Sequence, residues 1–321
     1  MSDDGLRDAG PRDDGSRDDG PRDDGPRCGF AALLGAPNAG KSTLLNALVG
    51  AKVSIVTHKV QTTRSRIRAI AIEGASQIVF VDTPGIFTPK RRLERAMVAA
   101  AWAGAGDGDV RVLVYDATKR TIDPDTRLIL DGLKKRKLEA VLVLNKIDVM
   151  ARGRLLELAT QFEAHGIFTR VFMISALNGD GVADLRAYLA QAMPPGPWHY
   201  PEDQLTDLPE RLMAAEITRE KLFLRLHQEL PYALTVETES WEDFKDGSVK
   251  IGQTIYVQRG TQKAIVLGKA GQSIKAIRAA AQEDLQALLD RKVHLFLFVK
   301  VREKWIDDPD RYSLWGLDYK A

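Results

Sequence analysis

Nine residues, Gly35, Ala36, Pro37, Asn38, Ala39, Gly40, Lys41, Ser42 and Thr43, constrain this 321-residue chain more than any others. An apolar run at 30–34 precedes them and a helix-like run at 44–49 follows. Strand, glycine-bounded turn and helix, in that order, make the setting of a phosphate-binding loop. Gly35 and Gly40 let the backbone turn tightly, so that successive N–H groups face phosphate oxygens. Lys41 has the reach for β- and γ-phosphates, and the Ser42 hydroxyl suits Mg²⁺. The positive end of the following helix adds to the same field.

Beyond this loop the first half of the chain alternates. Strand-like runs lie at 67–72, 77–81, 110–115, 140–144 and 171–174, and helix-like runs at 90–102, 124–135 and 181–193. The pattern predicts an α/β fold with a mostly parallel sheet covered by helices on both faces. Right-handed crossovers then bring the carboxyl ends of the strands to one edge. Asp82, Thr83, Pro84 and Gly85 close the strand at 77–81. An aspartate there can hold Mg²⁺ through its water shell, and the Gly85 N–H can sense a γ-phosphate.

Two further loops point to the base. Asn145, Lys146, Ile147 and Asp148 follow the strand at 140–144. A carboxylate such as Asp148 accepts two hydrogen bonds from guanine's ring N–H and exocyclic amine, a donor pair that adenine lacks on that edge. Asn145 can tie this loop to the phosphate loop, and Lys146 can lie over the base plane. Ser175, Ala176 and Leu177 follow the next strand, where the Ala176 N–H can donate to the guanine carbonyl.

The second half reads differently. Four prolines within residues 194–201 break the preceding helix and make a stiff linker. After it come a helix-like run at 208–230, strand-like runs at 232–241 and 249–258, helix-like runs on either side of Gly268, Lys269, Ala270 and Gly271, and a last strand at 293–299. Glycines at both ends of a short interhelical loop let a nucleic-acid backbone come close. Lys269 would sit by phosphates, with Ile265, Val266 and Ile274 beside a groove and Ser273, Lys275 and Arg278 on the following helix. Residues 259–278 hold five basic residues and no acid, whereas 205–321 hold eighteen of each sign. Affinity for nucleic acid would come from that local patch, not from net charge.

Charge is uneven elsewhere too. Five Asp/Arg/Gly pentads at 3–27 carry nine aspartates and five arginines, so the tail is −4 and the remainder +6 against +2 overall. With almost no apolar residues, the tail is expected to be disordered and solvated. Its acids argue against a transit peptide, and no long apolar run predicts a membrane span. The single cysteine, Cys28, excludes an internal disulfide framework and reads as a packed residue. Lys59, Arg64, Arg66 and Arg68 read as a solvated basic face. The expected division is a tail at 1–27, a first domain at 28–193, a linker at 194–204 and a second domain with its tail at 205–321.

Taken together, the phosphate loop, Gln61-Thr62-Thr63-Arg64, Asp82-Thr83-Pro84-Gly85-Ile86, Asn145-Lys146-Ile147-Asp148 and Ser175-Ala176-Leu177 resemble the translation-factor-related GTPases, and among them the bacterial Era family. The resemblance covers 28–317. It implies a P-loop GTPase domain followed by a smaller α+β K-homology domain that binds RNA. It implies a threonine, Thr63 before Thr62, that completes the Mg²⁺ shell. Val60 departs from the usual proline or alanine. Ile86 stands where Ras-like proteins have a water-orienting glutamine, which implies slow turnover. Asn38 is a candidate to hold K⁺ near the phosphates, with plain loop hydrogen bonding as the alternative. The implied partners are GTP and GDP, small-subunit ribosomal RNA near its 3′ end and the small ribosomal subunit, whose maturation the chain would assist. DNA is not implied. The chain is expected to be monomeric and cytoplasmic, with peripheral contact at the inner face of the cell membrane as a secondary expectation. The rival class is a GTP-regulated adaptor for a protein or membrane surface.

Overall fold

The computed structural model describes residues 25–59, 61–64, 66–227 and 230–321. The pentads up to Asp24, expected to be disordered, and Val60 lie outside the described residues. Up to the proline-rich stretch the chain forms β1 (Arg27–Leu34), α1 (Lys41–Val49), β2 (Ile67–Glu73), β3 (Ser76–Asp82), α2 (Arg92–Asp107), β4 (Val110–Asp116), α3 (Pro124–Arg136), β5 (Ala140–Asn145), α4 (Arg152–Glu163), β6 (Phe168–Ile174) and α5 (Val182–Ala192). The strand order is β2-β3-β1-β4-β5-β6. Every pairing is parallel except β2 with β3.

Strands as apolar as β3 and β5, buried at every position, require cover on both faces. Leu44, Leu45 and Leu48 of α1 and Leu185 and Leu189 of α5 supply one side. Ala101 and Ala105 of α2, Ile129 and Leu133 of α3, and Leu155, Leu158 and Phe162 of α4 supply the other. The sequence reading left α4 without an element, although its three apolar residues recur at helical spacing. β1 lies between β3 and β4, so the chain leaves β1 toward one flank and returns on the other. The crevice at such a reversal, outside the carboxyl ends of the strands, is where α/β sheets bind ligands.

The structured fold starts at Arg27, inside the last pentad. Residues 194–206 are strapped along the first sheet. Cys28 N donates to Pro194 O at 3.1 Å and Ile70 N to Leu205 O at 2.9 Å. Gln77, fully buried in β3, is the buckle. Its Oε1 accepts from the N–H groups of His199 (2.9 Å) and Tyr200 (3.0 Å), and its Nε2 donates to Tyr200 O (2.8 Å).

The second unit comprises α6 (Glu210–Arg225), β7 (Leu234–Asp243), β8 (Val249–Val257), α7 (Gly260–Leu267), α8 (Gln272–Leu289), β9 (Val293–Val301) and α9 (Pro309–Leu314). β8 pairs antiparallel with β7 and parallel with β9. α6, α7 and α8 cover one face through residues such as Ile217, Leu222, Phe223, Val266, Ile277 and Leu285. Of the two fates open to Val266, groove or core, it takes the core, because the helical turn that exposes Ile265 points its neighbour inward.

Of the basic loop between α1 and β2, Arg68 is exposed as expected, but Arg64 is not on a solvated face. Arg64 is 2% exposed and donates to Leu234 O at 2.9 Å, with its guanidinium carbon 5.7 Å from the Trp305 ring centre and 5.8 Å from that of Phe223. Lys59 Nζ caps the carboxyl end of α6 on the carbonyls of Phe223 and Leu226. Arg66 and Arg68 pair with Asp107 and Asp207. Sequence spacing could not show this, because carbonyls and rings far along the chain make the burial tolerable. Trp305 is fully buried in this contact, and Trp315 packs with Tyr312 and Leu317 against Leu93, Ala96 and Met97 of α2.

Gln77→Ala removes the partner of two part-buried backbone N–H groups and one carbonyl. The expected loss is about 1–3 kcal/mol, read as a lower urea midpoint with unchanged slope.

Candidate nucleotide and nucleic-acid sites

The phosphate loop joins the end of β1 to the start of α1. Gly40, at φ 96°, is the N-cap of α1, and a Cβ there would lie 2.2 Å from Asn145 Nδ2. A side chain at this position would thus collide with the base loop as well as strain the backbone. Lys41 is buried, and its ammonium spans Gly35 O (3.0 Å) and Ala36 O (3.1 Å). Burial pushes it down to about 8, against the opposing pull of Asp82.

Beside Lys41 lies a cluster of oxygens. Ser42 Oγ is 3.0 Å from Thr63 Oγ1 and donates to Asp82 Oδ2 at 2.9 Å. Thr63 Oγ1 is 3.4 Å from the same oxygen, and Ser54 Oγ donates to it at 3.0 Å. Burial raises Asp82, with Lys41 and the three hydroxyls opposing. Asp82 Oδ1 is buried without a hydrogen-bond partner among the described residues. Two hydroxyls and a carboxylate with an unsatisfied oxygen fit a hard, oxygen-seeking divalent ion such as Mg²⁺. Thr62 does not join them; its hydroxyl turns to Lys59 O and Thr57 Oγ1, both at 2.6 Å.

Gly85 approaches the phosphate loop, its hypothetical Cβ 3.0 Å from Pro37 N. The side chains of Thr83 and Pro84 are buried beneath it. Thr83 donates to Leu33 O at 2.7 Å, so its hydroxyl ties β3 to β1. Ile86 is fully buried among the α2–α4 side of the core, with its N–H on Gly35 O.

At the other end of the cleft Asn145 knots three segments. Its Nδ2 donates to Ala39 O at 2.9 Å, and its Oδ1 accepts from Ala176 N at 3.0 Å and Lys146 N at 2.8 Å. The Ala176 N–H, read as a donor to the base, is here engaged by Asn145. Asp148 stands exposed at the rim, and the buried Ser175 hydroxyl donates to its Oδ1 at 2.7 Å. Lys146 Nζ bonds Asn38 O at 3.1 Å and pairs with Asp116 at 2.6 Å. Asn38, exposed, Thr43, Leu177 and Val149 complete a cleft of about 450 Å³.

Asp116, Ser54 and the orienting role of Ser175 escaped the sequence reading. Asp116 had a signal, since it ends β4 at the same edge as the other loops. Burial alone would raise its carboxyl, but the Lys146 ammonium and the Thr118 hydroxyl and amide hold it below the usual carboxylate range.

In the second unit Gly268, at φ 71°, ends α7, and Gly271 caps the amino end of α8. A Cβ on Gly268 would lie 2.6 Å from that of Ser273, so the turn needs glycine there. Lys269, Ala270, Lys275, Arg278 and Ile265 are exposed around this turn, and Ser273 is half-buried. Arg278 reaches Gln282 at 3.1 Å.

A cleft that grips phosphates at one end and offers a carboxylate to a base at the other belongs to a P-loop GTPase, here joined to a K-homology domain. A family model described as "50S ribosome-binding GTPase" matches residues 30–146, and one described as "KH domain" matches 229–306. The GTPase Era of Rhizobium meliloti (strain 1021) is 61% identical over 293 residues, 91% of this chain and 93% of the relative. That of Brucella suis biovar 1 (strain 1330) is 59% identical over 293 residues, 91% and 94% of the two chains. The chain belongs to the Era family of GTPases. Among solved structures, an alanine variant of Aquifex aeolicus Era bound to GDP and AlF4⁻ is 36% identical with TM-score 0.84, covering 90% of this chain and 99% of its own. Era in complex with MgGDPNP and nucleotides 1506–1542 of 16S ribosomal RNA is 36% identical with TM-score 0.85, covering 91% and 99%.

The depressed Asp116 carboxyl contributes stability that is complete above the ordinary value of 3.8 and is lost as pH falls through the lower folded value. Asp116→Asn should therefore lower the thermal midpoint at pH 7, by a difference that shrinks as pH falls below 3.8.

Proposed function

We propose that this GTPase binds small-subunit ribosomal RNA near its 3′ end, under control of the bound nucleotide, and assists maturation of the small ribosomal subunit. The observation that carries this is the likeness over 91% of the chain to an Era solved with MgGDPNP and a 16S ribosomal RNA fragment. The "50S" of the matching family description weighs less, because that model spans only 30–146 and omits the K-homology domain. The exposed basic residues around 268–271 agree with an RNA backbone running past the glycine turn.

In the nucleotide cleft, Ser42, Thr63 and Asp82 would hold Mg²⁺, directly or through water. Bound there, Mg²⁺ neutralises charge on β- and γ-phosphate oxygens. Lys41, freed from its own loop carbonyls, adds its charge to the same oxygens, and the Gly85 N–H reports whether the γ-phosphate is present. Ile86 is buried and apolar, so no side chain at that position orients the attacking water, and intrinsic turnover is slow. Asn38, exposed at the cleft, is placed where it can help hold a K⁺ ion that neutralises developing charge. Asp148, oriented by Ser175, reads the two guanine donors, and Lys146, steadied by Asp116, covers the base.

Among the described residues no helix is long and apolar enough to cross a membrane. We place the protein in the cytoplasm as a monomer, with peripheral contact at the inner membrane face as a secondary association.

Two measurements test these assignments. Asp148→Asn should weaken GDP binding at least about a hundredfold, since two hydrogen bonds to a carboxylate contribute about 1.5–3 kcal/mol each. It should also favour xanthine nucleotides, whose extra carbonyl accepts from the new amide. A fluorescent oligonucleotide of the 16S ribosomal RNA 3′ end, titrated at fixed salt, should bind more tightly with a non-hydrolysable GTP analogue than with GDP. The pair Gly268→Asp and Lys269→Asp should abolish that binding. Absence of binding by the parent in either nucleotide state would favour the adaptor class instead.

A further inference from the structure

The loop between α1 and β2 carries Thr63 to the metal-suited oxygens, yet it forms no regular element of its own. Its early residues are held within the first domain by Asn46 and Asp82, but on either side of Thr63 its main anchors come from the second domain. Arg219 of α6, 1% exposed, donates to Gln61 O at 3.5 Å and also to Thr62 O. Lys59 lands on two carbonyls at the end of α6, where a cation also meets the negative end of the helix dipole. On the far side of Thr63, Arg64 donates Nη1 to Leu234 O (2.9 Å) and Nη2 to Pro231 O (3.4 Å). Its guanidinium carbon lies 5.7–6.0 Å from the ring centres of Trp305, Phe223 and Trp315. Around Thr63 the first domain contributes the bond from Gln61 Nε2 to Glu94 Oε1, at 2.9 Å, and the contacts of the Thr63 hydroxyl with Ser42 and Asp82.

Thr63 is thus held between a carbonyl clamped by Arg219 and a side chain sunk into the second domain. A planar fork that is desolvated, stacked and hydrogen-bonded to two carbonyls cannot shift by an ångström without losing those partners. The Thr63 hydroxyl, one residue away, inherits that rigidity, and it sits 3.0 Å from Ser42 Oγ.

We propose that Arg64 is a positioning residue for Thr63, through which docking of the K-homology domain and the C-terminal tail sets the geometry of the nucleotide site. This rests on the reading of Thr63 as a group that helps hold Mg²⁺. Arg64 itself touches neither nucleotide nor metal. Release of the second domain frees the loop, and the Thr63 hydroxyl leaves the oxygen cluster.

The test uses the full chain. Arg64→Met keeps an unbranched apolar stem against Phe223, Trp305 and Trp315 and deletes both carbonyl bonds. Trp315→Leu opens the same cage without altering the loop. Equilibrium binding of a non-hydrolysable GTP analogue and of GDP is titrated across Mg²⁺ concentrations, and single-turnover hydrolysis is measured in parallel. Each variant should raise the Mg²⁺ concentration for half-maximal analogue binding about tenfold and slow hydrolysis about tenfold, while GDP affinity at saturating Mg²⁺ stays within about twofold. Arg64→Lys, a point charge in place of a fork, should not restore the parent values. In a Thr63→Ala background, Arg64→Met should add nothing further, because it acts through that hydroxyl. An unchanged Mg²⁺ dependence in both variants, or an Arg64→Met effect that persists in Thr63→Ala, overturns the inference while a Mg²⁺ defect in Thr63→Ala alone keeps the metal reading. If Thr63→Ala by itself leaves Mg²⁺ dependence unchanged, the metal reading falls and the inference with it.

Discussion

The Asn145 side chain is the constraint on which the nucleotide cleft depends. It is 2% exposed, so each of its polar atoms must find a protein partner. It finds them on three segments that the chain visits far apart: Ala39 in the phosphate loop, Lys146 beside it and Ala176 after β6. One amide thereby sets the spacing between the end that grips phosphates and the end that reads a base. The glycine at position 40 follows from the same contact, because the amide nitrogen occupies the space a side chain would need.

A second constraint works across the domains. Between the GTPase domain and α6 lie three cations, the buried Arg64 and Arg219 and the half-buried Lys59. Burying charge is unfavourable unless hydrogen bonds replace the lost hydration. Here the replacements are carbonyls at the end of α6, at and just before the start of β7, and in the loop around Thr62. Each side therefore satisfies what the other leaves open. Lys52 adds an ion pair to Glu220 at 2.7 Å and one to Asp284 at 2.8 Å, which fastens the loop's first residues to α6 and α8. The C-terminal tail closes a parallel contact on α2, with Tyr312 and Leu317 on Leu93, Ala96 and Met97. The loop that carries Thr63 and helix α2 are thus both in contact with the part of the chain that carries the glycine turn.

Much of this was legible in the chain. Phosphate loop, Asp82 to Gly85, Asn145 to Asp148 and Ser175 to Leu177 each combine a short-range turn requirement with a specific chemical group, and such signals survive without knowledge of the fold. Apolar runs alternating with helical spacing likewise place the strands of the parallel sheet within a residue or two for most elements. α4 was missed because its polar neighbours dilute a pattern of only three buried residues. Between Ile265 and Val266 the sequence left the groove and the core both open, since it tells which residues are adjacent but not which side faces inward at a turn.

What the sequence alone determined was local: which loops bind phosphate, metal and base, where strands and helices fall, and which glycines the turns demand. Tertiary structure decided the fate of groups whose partners lie between thirty and about a hundred and seventy residues away. Gln77 became the buckle of the linker, Asp116 the support of Lys146, and Arg64 a buried bridge and not a solvated cation. The physical reason is the same in each case. A polar side chain carries no mark of whether water or protein will satisfy it, and only the folded arrangement of distant carbonyls, amides and rings settles the question.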